Sequence, residues 1–199
     1  MIKKLLKRLG IILITTTISV MASISIMVNA NEFETHRQMV DRLPREVQRV
    51  VDNYTFILDD KAEETIEKYG YTKQTAYGLH VTTDKVIVVN NYRYNRHKNE
   101  NDYWYNIYYE LTFYHEIGHA VDFATSEIGY RSQGQEFFNI YLQERDNLNF
   151  GLSQEYHKSL TQEFFANAFA NYFYSAKTKQ LLKENLPQTY TYIRDYIDR

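Results

Sequence analysis

The sequence predicts an α+β domain, on three observations. Short β-prone runs lie only in its first half, at Tyr54–Leu58, Leu79–Val81 and Lys85–Asn90. From residue 103 onward the apolar residues recur at helical spacing. The chain has 199 residues, 44% hydrophobic and 24% charged, which suits a single folded domain.

The first thirty residues form a separate object. Lys3, Lys4, Lys7 and Arg8 precede an uncharged stretch from Ile11 to Val28, and Val28-Asn29-Ala30 follows. This is the layout of an export signal cleaved after Ala30, so we expect a signal peptide over 1–30 and one domain over 31–199. The same stretch is long enough to span a bilayer, so a retained anchor is the alternative. Removing it takes the net charge from −2 to −6, because it carries four basic residues and no acid. The expected location is extracellular, with the membrane touched only if the segment stays attached.

Residues 34–52 read as helical, with a break near Leu43 because Pro44 suits a first helical turn. Asp60 can cap a helix over Lys61–Lys68 that Gly70 stops. Strands at 79–81 and 85–90 flank Thr83-Asp84, and a polar loop covers 91–102. Helices then follow over about 103–124, 134–146, 159–175, 177–184 and 188–198. Pro187 opens the last of these, with Asn185 as its expected cap. A small strand-containing half thus precedes a helical half.

Composition removes several functions. There is no cysteine, which excludes a disulfide scaffold, a thiolate metal site and a cysteine nucleophile. Near-neutral charge argues against nucleic-acid binding. The 19 tyrosines suit either a core poor in leucine or a groove lined by flat amphipathic rings.

The chemistry sits on the first long helix, at His115-Glu116-Ile117-Gly118-His119. Four residues advance slightly more than one turn, so both imidazoles share a face. Neutral histidines so spaced can take two corners of a tetrahedral zinc site, with Glu116 beside them as a proton acceptor. The flanking Leu111, Phe113, Ile117, Ala120 and Val121 place this helix in the interior, where polar side chains need partners. Gly118 in mid-helix costs about 1 kcal/mol relative to Ala, a cost that makes sense where another backbone comes close.

A third ligand is required. Thr125 stands where an extended motif would carry another histidine, so a carboxylate from a later helix is expected. Glu163 is the best candidate; its alternative is a solvated first-turn acid favoured by the helix dipole. Ala166 and Ala170 on the same helix are small enough to admit Gly118. Tyr156 precedes Glu163 by seven residues, and a phenol beside the metal can donate to a developing oxyanion; ordinary packing is its alternative.

His115–Asp122, then Tyr156, then Glu163-Phe164-Phe165-Ala166 with Ala168-Phe169-Ala170, resembles the anthrax lethal factor-like zinc metallopeptidases, which include small secreted Pro-Pro endopeptidases. The resemblance implies a compact zincin-like domain holding one Zn²⁺ on His115, His119 and Glu163. It implies Glu116 as general base, Tyr156 as the group that stabilises the carbonyl oxygen, and a peptide or protein as substrate. Proline-containing extracellular proteins are the substrate class it suggests. Where similar members carry an acid four residues after the ligand glutamate, this chain has Asn167, an amide able to orient a ligand histidine without adding charge. Two other readings stand beside it: a toxin-type effector needing a delivery partner, and a non-catalytic module that keeps zinc for stability.

For substrate binding, Lys85–Asn90 is a candidate edge strand, with a plain core strand as the alternative. Trp104, Tyr105, Tyr108, Tyr109 and Tyr114 lead into the zinc helix and offer rings to a substrate or to the core. His36, His80, His97 and His157 have no partner at ligand spacing and read as surface or structural, although His157 can lie near the site because Tyr156 does.

Overall fold

The computed structural model describes residues 36–58, 61–72, 76–90, 102–124, 129–152 and 154–197. The expected export signal, the Asp60 cap, His97 and the loop over 91–101 lie outside them. So do the side chains of Trp104 and Tyr105. Two compact units are present, ending and beginning at Leu43 and Pro44. Of the first, residues 36–41 are helical.

The second unit opens with α1 (Arg45–Val51), whose N-cap position is Pro44 with φ −56° and ψ 151°. The proline lacks an N–H to donate, so it starts a helix without loss. β1 (Thr55–Ile57), α2 (Lys61–Lys68), β2 (Gly78–Val81) and β3 (Val86–Val89) follow. The sheet order is β1-β3-β2: β1 runs parallel to β3 and β2 antiparallel to it.

β3 is therefore the central strand, and all four of its residues are buried. Of the two readings of Lys85–Asn90, edge strand and core strand, this supports the core strand. An unbroken Val-Ile-Val-Val run with no polar alternation belongs to a strand covered on both faces. Val86 and Val88 pack with Ala62 and Ile66 of α2 on one face, while α3 (Asp102–Ala124) packs on β2 and β3. β1 and β2 are the outer strands among the described residues, and β2 carries the sheet's contribution to the site.

The helical half follows as α4 (Gln135–Glu144), α5 (Gln154–His157), α6 (Thr161–Tyr174), α7 (Ala176–Asn185) and α8 (Pro187–Ile197). Each long helix lies within a few residues of its expected span. α3 and α6 form the most extensive helix pair. A Cβ on Gly118 would lie 2.9 Å from the Ala166 Cα, so glycine and alanine together set how closely these helices approach. Phe137, Phe164, Phe165 and Tyr192 fill the space between α4, α6 and α8, with ring centroids 4.8–6.4 Å apart.

The start of α8 differs from expectation. The Asn185 amide donates back to the Leu181 carbonyl at 2.8 Å and so closes α7. The cap of α8 comes from Glu144, whose carboxylate accepts from the Gln188 and Thr189 N–H groups at 2.8 and 2.9 Å and from the Thr189 hydroxyl at 2.7 Å. A carboxylate at a helix N-terminus satisfies donors the helix leaves open and meets the positive end of its dipole.

Candidate metal centre

α3 carries His115 and His119 one turn apart, and the first turn of α6 brings Glu163 to them. All three are buried, with exposures of 5%, 8% and 8%. Glu163 is therefore not a solvated helix-start acid. His115 Nε2 and His119 Nε2 stand 3.1 Å apart, and Glu163 Oε2 lies 3.2 Å from the first and 3.4 Å from the second. A tetrahedral ion with bonds of about 2.0–2.1 Å requires donor separations of about 3.3 Å. The three atoms form one face of such a tetrahedron.

Several unpaired atoms support that fit. Glu163 Oε2 makes no well-aligned hydrogen bond, and His115 Nδ1 and His119 Nδ1 have no partner. Buried polar atoms are ordinarily satisfied, so a carboxylate oxygen and two imidazole nitrogens gathered within 3.4 Å of one another suit a cation between them. In particular, Asn167 does not orient a ligand histidine. Its oxygen faces Asn171 Nδ2 at 3.3 Å, and its own Nδ2 is unpartnered.

The electrostatics are those of a closed pocket. Burial lowers the pKa of His115 to about 3, against the pull of Glu163. Burial also acts to lower that of His119, but the Glu163 hydrogen bond and charge outweigh it and the net shift is upward. For Glu163, burial opposes ionisation, but the two histidines hold its pKa well below the usual carboxylate range. Glu116 is 6% exposed, and burial raises its pKa to about 8. Its side chain lies against Gly78 of β2, where a Cβ would meet Glu116 Cδ and Cγ at 2.8 Å. Glycine on the edge strand thus leaves the space the Glu116 carboxylate occupies.

Tyr156, on the short α5, is 57% exposed at the rim. Partial burial of its phenol, then the charge and hydrogen bond of Glu163, raise its pKa. The arrangement brings together all five residues singled out in the sequence: His115, Glu116, His119, Tyr156 and Glu163.

Three further residues surround it. His157 is buried, with its ring centroid 4.8 Å from that of His115. His80 stacks on His119 at 6.3 Å and 7°, and its Nε2 lies 3.1 Å from the Tyr54 hydroxyl. The surface or structural reading of His80 is corrected, and His157 lies beside the site as its place next to Tyr156 suggested. Strand alternation was the available signal for His80, since it shares a face with Gly78. For His157 the signal was its adjacency to Tyr156. Tyr130 stands edge-on to His119 at 6.1 Å, in a turn held to α3 by Ser132–Asp122 hydrogen bonds of 2.7 and 2.5 Å.

A helix presenting two histidines and a glutamate, joined by a glutamate from a second helix, is a buried donor set able to hold a metal ion. Residues 27–196 match the family described as anthrax toxin lethal factor, N- and C-terminal domain, and the chain belongs to that family. Its fold is similar to that of the Pro-Pro endopeptidase PPEP-2 from Paenibacillus alvei, with a TM-score of 0.57 and 20% identity, over 83% of this chain and 91% of that one. No curated protein matches it by sequence.

Proposed function

We propose that the chain is a zinc-dependent endopeptidase exported from the cell that makes it. The observation that carries this is the 3.1–3.4 Å triangle of His115, His119 and Glu163 donors, with Glu116 alongside. Two imidazoles and a carboxylate, with no thiolate, are the donor set of catalytic zinc sites that keep a position open. When bound, zinc supplies a Lewis acid that polarises a peptide carbonyl and makes water a nucleophile near neutral pH.

The chain's own residues supply the rest. Glu116, whose carboxyl a cation bound beside it would hold ionised, accepts the proton of the attacking water and delivers it to the leaving amine. Tyr156, un-ionised at neutral pH, donates its phenolic hydrogen to the carbonyl oxygen as charge develops there. Edge strand β2, with Gly78 over Glu116 and His80 over His119, is the backbone against which an extended peptide can lie. Tyr71 and Tyr77 are exposed, and Tyr71 and Tyr156 interact electrostatically. Flat rings at such a rim suit proline side chains, and the solved neighbour is a Pro-Pro endopeptidase.

Export is supported by the basic start, uncharged stretch and Val28-Asn29-Ala30 of the leader. N-terminal sequencing of the protein from culture medium should begin at Asn31; a start at Met1 contradicts the signal assignment. For the activity, a peptide library is incubated with wild type, with wild type plus chelator, and with E116Q. Wild type should cleave, chelator should abolish cleavage, and E116Q should keep zinc while losing at least about 10²-fold in rate. Undiminished cleavage by E116Q, or in chelator, overturns the reading.

A further inference from the structure

His157 has no part in the scheme above, yet it is buried and its ring lies edge-on to His115. A nitrogen of His157, a nitrogen of His115 and a carboxylate oxygen of Glu163 all lie within 4.8 Å of one another. His115 and Glu163 thus belong to two overlapping donor sets, one completed by His119 and the other by His157.

We propose that His157 is a fourth protein donor to the ion held by His115, His119 and Glu163, occupying its open position when no substrate does. This inference rests on the metal-centre reading above. Three donors at 3.1–3.4 Å cover one face of a tetrahedron and leave the fourth corner free. To reach it, His157 must close from at most 4.8 Å to about 3.3 Å from His115 and Glu163. Rotation of the imidazole about its soft χ2 torsion supplies a displacement of that order. Its carrier, α5, is only four residues long, and packing on α6 ties it to the helix of Glu163. An imidazole is a good zinc ligand, and zinc passes between four and five ligands readily. Because Tyr156 is the adjacent residue, a substrate drawing Tyr156 to its carbonyl also moves the element that carries His157.

The test uses the full chain, stripped by chelator and reloaded with Co²⁺, whose visible absorption reports coordination, with chelator competition read in parallel. H157A and H157Q should each lower metal affinity about tenfold or more and weaken the four-coordinate Co²⁺ band. H119A should retain metal through His115, His157 and Glu163, whereas H119A/H157A should lose it. H157Q keeps a polar side chain of similar reach, so it separates ligation from packing if H157A folds poorly. Wild-type affinity and spectrum in H157Q overturn the proposal, as does lowered affinity with an unchanged spectrum, which is the mark of packing alone. A wild-type chain that takes up neither Co²⁺ nor Zn²⁺ overturns the metal centre itself. Peptide cleavage by a metal-loaded wild type whose H157Q variant is unaltered removes only this inference.

Discussion

Asp122 stands three residues beyond His119, buried, and accepts two hydrogen bonds from Ser132. Burial raises its pKa from 3.8 to about 6, although the Ser132 bonds act the other way. Between those values the folded chain holds a proton that the unfolded chain has released. The contribution of Asp122 to stability therefore falls as pH rises from about 4 to about 6, and is constant above. A shift of that size corresponds to about 3 kcal/mol. In chelator-treated protein, D122N should gain stability relative to wild type across this window and hold a constant difference above pH 6. Thermal unfolding at pH 4, 5, 6 and 7 measures it; a difference that does not change with pH contradicts the assignment. At this scale the sequence yields residues whose spacing is itself chemical, as His115, Glu116 and His119 are. It signals His80 only through strand alternation from Gly78, and it does not yield Tyr130, which reaches the site only through tertiary packing.

Among the elements, β2 and α3 meet where Gly78 faces Glu116, a contact with no room for a Cβ. A methyl at position 78 would collide with the end of the Glu116 side chain rather than with backbone, so the carboxylate must turn aside. G78A should retain metal and thermal stability close to wild type while its cleavage rate falls about 10²-fold, the usual cost of misplacing a catalytic group by about an ångström. Full activity in G78A contradicts the placement of Glu116. Helices were readily legible: α3, α6, α7 and α8 follow from apolar spacing, Pro187 and the Gly118–Ala166 pair. Strand positions were legible as well, but their order was not, because a strand's own residues do not name its neighbours. The Val-Ile-Val-Val run of β3 was nonetheless a sign of central position. The cap of α8 was out of reach of local reading, since Glu144 lies more than forty residues earlier in the chain.

At the scale of the whole molecule, the chain has no cysteine to staple it, and two helices and a sheet converge on one buried polar pocket. Ionised Glu163 and two inward-facing imidazoles form an expensive arrangement inside a protein without a cation between them. The most direct test of the account is the zinc content of purified wild type, H115A/H119A and H119A/E163A, by elemental analysis after exposure to a weak chelator, with circular dichroism to confirm folding. The account predicts one zinc per wild-type chain and close to none in either variant, because each keeps no more than two of the donors. One zinc per chain in a folded H119A/E163A would contradict it.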